Sequence, residues 1–524
     1  MTTRNDSSPQ AADDGGTDSD HTPCAASSEH PALVAESGVD SSGSADSASL
    51  EENGSPHRAG SFRELLLVSL PLIISAGSHS LMGIADCMML AGYAPPADAL
   101  AVTTLDIIAA VTPAGMMYWS IACIPMGTIL YANTFISQFD GARQPRKLAT
   151  AFWQGVWLAI VSGVLLMGFV PLSATLFLQA GHTEAVVSQE TAYFNTMCLG
   201  SVFHLCANAL SCYFSGRQKT AVVMYVTLTS VAINVVCDYG LIFGHWGLLE
   251  LGITGAAAAT VFARFCELLM YGGLIYADGR VRYPLASTWR PHGGMLKKFL
   301  RYGLPSGLHH FLDTSSFLFF LLIVGSLNRD AMAATNLAFR VNSIIFIPLL
   351  GFGTAVQTLV GHHIGAGLQA AASRTTWNAI LMGVIWTGGA AILLVFFPDA
   401  SLQPFLAFED ASASLESGQS IRSVLPMASR LLMFVAVYSI FDAMAVVFAS
   451  ALRGAGDTLF PMAITLFSAW VVMTIPAWLI SQMESATVGR LWLTCTGHIT
   501  LMGTAMALRF LSGKWKRIKL TEIS

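Results

Sequence analysis

Charge is what this sequence has least of. Only 11% of its 524 residues are charged, whereas 54% are hydrophobic and the mean hydropathy is +0.59. A soluble domain carries about 25% charged residues. Length in such a chain counts membrane spans rather than soluble domains. An excess of bases is also missing: the formal net charge is −5, which excludes a strongly basic nucleic-acid binder. The nine cysteines are scattered, with no CxxC and no mixed Cys/His ligand spacing. Several, among them Cys87, Cys123, Cys206 and Cys237, fall in apolar runs and read as small apolar filler. No HExxH and no GxSxG occurs, so a membrane enzyme finds no motif here and no enzymatic activity is expected. The amino terminus lacks the basic stretch and short apolar core of a signal peptide.

Residues 1–57 do hold charge, and of one sign. Eleven acids from Asp6 to Glu52 face a single base, Arg4, among many Ser, Gly and Ala. Such a segment buries too little apolar surface to offset its ordering entropy, and is expected to be a disordered acidic tail.

Beyond it the chain divides into twelve long apolar runs, near 64–92, 103–138, 147–179, 187–213, 220–244, 252–277, 298–325, 331–361, 374–398, 424–451, 458–482 and 488–511. Each reaches the roughly 20 residues that a helical span requires. Pro71, Pro113, Pro125, Pro305 and Pro348 are candidate kinks. Alternate loops collect 20 of the 27 bases and the opposite loops only four, so both termini are expected to be cytoplasmic.

The two halves echo each other. Leu70-Pro71 matches Leu304-Pro305, Gly141-Ala142 matches Gly365-Ala366, Trp153 matches Trp377, and Gly216 and Thr220 match Gly454 and Thr458. Asp98–Thr103 resembles Asp330–Thr335, which leaves helix 2 about eight residues longer than helix 8. Six spans per half is an even number, so both halves enter the membrane in the same direction. The expected fold is an all-α integral membrane protein of twelve helices in two parallel six-helix lobes. Its divisions are an acidic cytoplasmic tail (1–57), a first lobe (58–277), a basic cytoplasmic linker (278–301), a second lobe (302–512) and a basic cytoplasmic tail (513–524).

Several segments carry a family resemblance: LPLIISAGSHSLMGIADCMML, SVAINVVCDYGLIFG and LGITGAAAATVFARFCELL in the first half, and YGLPSGLHHFLDTSSF, AATNLAF, LVGHHIGAG and SIFDAMAVVFASALRGAGDT in the second. After about residue 60 the chain resembles multidrug and toxic-compound extrusion (MATE) transporters. The resemblance implies alternating access and export of organic cations and other amphiphiles, driven by inward Na⁺ or H⁺. It also implies a cell-membrane location and no cofactor beyond the coupling ion. Small-molecule substrates and the bilayer are the expected partners, and the chain is expected to act as a monomer.

A charge at mid-bilayer costs about 2.5–3.5 kcal/mol, so each one needs a partner or a task. Asp86, Asn234, Asp238 and Thr260 fall at similar depth in the first half, and Asn234 and Asp238 share a helix face. Their oxygens suit an alkali cation, Na⁺ in particular, or shared protons. They match the family's amino-lobe cation site, although a hydrogen-bonded structural cluster is the alternative. Asp313 and Asp442 match a carboxy-lobe cation site, with Asp standing at 313 where some members carry Glu. Under the repeat these two align with His79 and His204. Arg340 is a candidate partner for Asp313, and Arg264 and Glu267 form a candidate intrahelical ion pair. Asp106 is expected near the membrane surface without a role. The doublets His309-His310 and His362-His363 chelate poorly on a helix, and solvent is expected to satisfy the second pair. A lipid-linked glycan flippase is the rival function; its pyrophosphate would need a basic cavity, and the spans hold only Arg264 and Arg340. A structural scaffold would not need so many buried acids.

Overall fold

The computed structural model describes residues 59–94, 103–179, 181–282, 284–403 and 424–518. The acidic segment 1–57, the sequence match at 98–102 and the end of the basic tail lie outside the described residues. Twelve membrane-crossing helices follow in order. They are α1 (Phe62–Ala91), α2 (104–141), α3 (Pro145–Gln179), α4 (Glu184–Leu199 with Ser201–Ser215), α5 (Thr220–Phe243) and α6 (Gly252–Arg282). The second set is α7 (Gly293–Gly325), α8 (Arg329–Gly365), α9 (Gln369–Phe396), α10 (Leu425–Ala455), α11 (Leu459–Ser481) and α12 (Val488–Leu511). Most carry apolar side chains all round, as a helix must when lipid replaces water.

Local signals set the helix ends. Ser61 caps α1 by accepting from the Glu64 amide at 3.3 Å, and Asn328 caps α8 by accepting from the Ala331 amide at 2.6 Å. Thr103 and Asp106 form a reciprocal capping box at the start of α2, with 2.8 Å and 3.2 Å bonds. Asp106 therefore has a structural task. The caps also correct the sequence alignment. Thr103 and Asn328 are the equivalent positions, so α2 and α8 match in length to within one residue, and the eight extra residues disappear.

One sharp bend lies at a glycine rather than at a proline. A break of 46° divides α4 at Gly200, where a Cβ would collide with the Val261 side chain on α6. The absence of a side chain lets the broken helix pass close to its neighbour.

The two halves meet through symmetric contacts. Asn133 Nδ2 on α2 donates to Thr358 Oγ1 on α8 at 2.7 Å, and Gln357 Nε2 on α8 donates to Thr134 Oγ1 on α2 at 2.7 Å. Positions 133 and 134 are the repeat counterparts of 357 and 358. Similarly, a Cβ on Gly141 would strike the His362 carbonyl, and one on Gly365 would strike the Gln138 carbonyl. Farther along, a Cβ on Gly127 would come 2.7 Å from Gly307 Cα on α7, and one on Gly351 would come 2.7 Å from Ile73 Cα on α1. Each contact has its partner with the halves exchanged, as a two-fold relation requires.

This seam lies at the end of the helices that carries the basic loops. Gln138 Nε2 donates to the Gly454 carbonyl at 2.8 Å, and Tyr131 Oη donates to the Arg453 carbonyl at 3.2 Å. The histidine doublet of α8 also belongs to it. His363 is 2% exposed, with Nε2 3.5 Å from Glu64 of α1, and His362 Nε2 lies 3.7 Å from Asp140 of α2. Carboxylates of the other half, rather than solvent alone, face these imidazoles. Within each half an ion pair braces the same end with its charges reversed. Asp278 meets Lys219 at 2.8 Å together with Arg217, while Arg509 meets Asp457 at 2.7 Å.

The segment joining the halves is stitched to α3. Trp153 Nε1 donates to the Leu285 carbonyl at 2.8 Å, Trp157 Nε1 to the Trp289 carbonyl at 2.7 Å, and the His292 amide to Gln154 Oε1 at 3.0 Å.

Candidate cation and substrate sites

Helices α1, α5 and α6 pack together in the first lobe and bring the four sequence-selected residues into one cluster. Asn234 and Asp238 are fully buried on one face of α5, Asp86 reaches them from α1, and Thr260 closes the group from α6. Asn234 Nδ2 lies 3.4 Å from Thr260 Oγ1. Both Asp238 oxygens, Asp86 Oδ1 and Asn234 Oδ1 have no hydrogen-bond donor among the described residues. Buried carboxylate oxygens left without donors are costly. A bound cation or proton would relieve that cost, and the donor set, all oxygen, suits a hard cation. Tyr193 of α4 lies within electrostatic reach of both carboxylates, a neighbour the sequence did not disclose.

The same lobe holds the expected ion pair. Arg264 Nη1 bonds Glu267 Oε2 at 2.7 Å, both on α6. Arg264 Nη2 donates to His79 Nδ1 of α1 at 3.1 Å, and His204 Nδ1 of α4 is 3.1 Å from Tyr118 Oη of α2. Arg264, His79 and His204 line a cavity of about 330 Å³ together with Ser80, Trp119, Met126 and Asn208.

The second lobe is less tightly organised. Asp442 is buried on α10, and Asp313 is partly buried on α7 with its Oδ1 enclosed and lacking a donor. They lie within electrostatic reach of each other, and no hydrogen bond joins them among the described residues. The guanidinium that Asp313 faces is Arg453 of α10, whereas Arg340 is exposed on α8. Arg453 reads as a loop base in the sequence; the structure buries it in the last turn of α10, where Nη2 donates to Ser450 Oγ at 2.9 Å. His309 of α7 and His498 of α12 are also buried, and neither ring nitrogen of either has a partner among the described residues. Nothing in their sequence context separates them from ordinary core histidines.

Two parallel six-helix lobes, buried carboxylates inside each and a shared seam at one end define a multi-pass membrane transporter. The chain matches the MatE family over residues 71–240 and 305–479, and it belongs to that family. It is 26% identical over 464 residues to the probable multidrug resistance protein NorM of Thermotoga maritima, covering 88% of this chain and 94% of that one. Among solved structures, a MATE in complex with MaL6 superposes with a TM-score of 0.76 at 17% identity, over 87% of this chain and 97% of the other. A multidrug resistance MATE family transporter of the MOP superfamily in an outward-facing conformation gives 0.74 at 18% identity, over 88% and 100%. The structural likenesses establish the twelve-helix fold.

Proposed function

We propose that this chain is a secondary active multidrug exporter of a cell membrane, with both termini cytoplasmic, moving organic cations or other amphiphiles by antiport with Na⁺ or H⁺. The carrying observation is the Asp86–Asn234–Asp238–Thr260 cluster, in which both Asp238 oxygens, Asp86 Oδ1 and Asn234 Oδ1 are buried without a donor among the described residues. A membrane interior tolerates such a group when a cation or proton visits it. The multidrug resistance relative from Thermotoga maritima supports the same reading.

The helix contacts suggest how the site acts at a distance. Helix α1 carries Asp86 and packs on α5, and it also packs on α8 of the second lobe. Near the seam, Leu72 and Ile73 of α1 touch Gly351 of α8, and Glu64 of α1 faces His363. Cation or proton binding at Asp86 and Asp238 removes net charge from the cluster and lets α1 repack. Repacking of α1 disturbs its contacts with α8, which hold the lobes together at the basic end. The ligand shifts the population by its preference for one arrangement. Asp313 and Asp442 are proposed as a second coupling pair, with Arg453 tuning the charge at Asp313. On this reading the seam, which lies at the end carrying the basic loops, holds the lobes together on the cytoplasmic side.

The test is transport in liposomes under Na⁺ and pH gradients imposed separately, followed with a fluorescent organic cation. Gradient-driven flux under at least one condition is expected. Absence of flux under both would sink the antiport reading. A pyrophosphate-carrying flippase is less well matched, because the first-lobe cavity offers one guanidinium as its fixed charge.

A further inference from the structure

We propose that the first-lobe cavity is a recognition site for the anionic group of an aromatic carboxylate or sulfonate, held by Arg264 with His79. The inference deepens the efflux reading by naming a substrate class, and it rests on that reading only for transport.

The lining carries it. Of the charged side chains in this lobe, Arg264 borders the cavity, whereas Glu267, Asp86 and Asp238 do not. Glu267 sits behind the guanidinium, buried, and engages Nη1. An organic cation entering the cavity would meet a fixed positive charge with its counter-ion shielded behind it. An anion would meet a guanidinium whose two bonds to Glu267 and His79 leave N–H donors spare, since guanidinium has five.

The histidine chemistry points the same way. Guanidinium has no acceptor, so His79 Nδ1 must accept its bond from Arg264. The ring is then neutral, with its proton on Nε2, which becomes a donor. The indole of Trp119 is 42% exposed and supplies an aromatic wall. About 330 Å³ falls within the range of small-ligand pockets, roughly 300–1,000 Å³.

The repeat sharpens the contrast. His79 and His204 occupy the positions that hold Asp313 and Asp442 in the second lobe. The register of α1 on α7 is fixed by the paired contacts of Gly127 with Gly307 and Gly351 with Ile73. Where the second lobe presents carboxylates, the first-lobe cavity presents imidazoles beside a guanidinium.

The test uses the full chain in lipid nanodiscs and two probes with the same aromatic body, naphthalene-1-sulfonate and trimethyl(1-naphthyl)ammonium. Equilibrium dialysis is expected to give roughly tenfold tighter binding of the sulfonate, the worth of one charge-assisted contact. The double variant Arg264→Gln/Glu267→Gln removes both charges together and should erase that preference, the sulfonate losing affinity. Arg264→Lys keeps the charge and should retain most of it. Equal affinities, tighter binding of the ammonium, binding of neither probe, or a preference that survives the double variant would each overturn the proposal. Liposome flux of the ammonium probe under the same gradients reports on the efflux reading separately, so the two can fail independently.

Discussion

At the residue scale, the buried acids of the first lobe divide into two kinds by what meets them. Glu267 has a guanidinium at 2.7 Å, whereas Asp238 has no donor on either oxygen among the described residues. The first is satisfied, and the second lacks a partner among the described residues. Asp238→Asn keeps the side-chain volume and removes the charge; gradient-driven transport should fall at least about tenfold, with folding retained because no ion pair is broken. Liposome flux alongside a thermal melt checks both halves of that statement, and full retained transport would demote the site. Glu267→Gln should behave in the opposite way. It strands Arg264, and breaking a buried pair from one side costs about 3–5 kcal/mol, so the melting temperature in detergent should drop clearly. The double neutral variant should recover most of the loss.

Elements add effects that no single side chain contains. Helix α4 bends by 46° at a glycine, and the residue that requires the glycine, Val261, belongs to α6. Gly200→Ala should therefore destabilise the first lobe by about 1–3 kcal/mol through overpacking, and Val261→Ala should rescue it by making room. A melt of the two single variants and the double variant reads the coupling directly; additive losses would mean that the bend has another cause. Proline signals a bend in the sequence because it breaks a helix by its own chemistry. A glycine bend arises from the neighbour that presses on it, and the neighbour is a tertiary fact.

For the whole molecule, the seam is the feature with most leverage, because every bond in it must break when the lobes part at that end. Asn133 with Thr358 and Gln357 with Thr134 are two copies of one interaction, each 2.7 Å long. Asn133→Ala and Gln357→Ala should each cost the closed seam about 1 kcal/mol. The double variant should move the equilibrium roughly tenfold or more toward separated lobes. Spin labels placed on the α2–α3 and α8–α9 loops would report the distance distribution, and an unchanged distribution in the double variant would remove these bonds from the gate.

The sequence by itself determined the membrane class, the twelve spans and the duplication, because lipid demands long apolar runs and a repeat leaves residues at a constant offset. It also picked out Asp86 and Asp238 of the first-lobe cluster, since a carboxylate in an apolar run is conspicuous on its own, and Asn234 and Thr260 by their similar depth and the family resemblance. Other features depend on which helix lies against which, and only the tertiary structure decided those. Arg453 is a loop base in the sequence and a buried neighbour of Asp313 in the fold. His363, which solvent was expected to satisfy, is buried against Glu64 some 300 residues earlier in the chain. The match at Asp98–Thr103 suggested unequal helices, and the caps at Thr103 and Asn328 removed the difference. Hydropathy and spacing act along one chain and survive in a string of letters. Burial, pairing and cavity lining are set by the approach of segments far apart in that string, and the string does not record that approach.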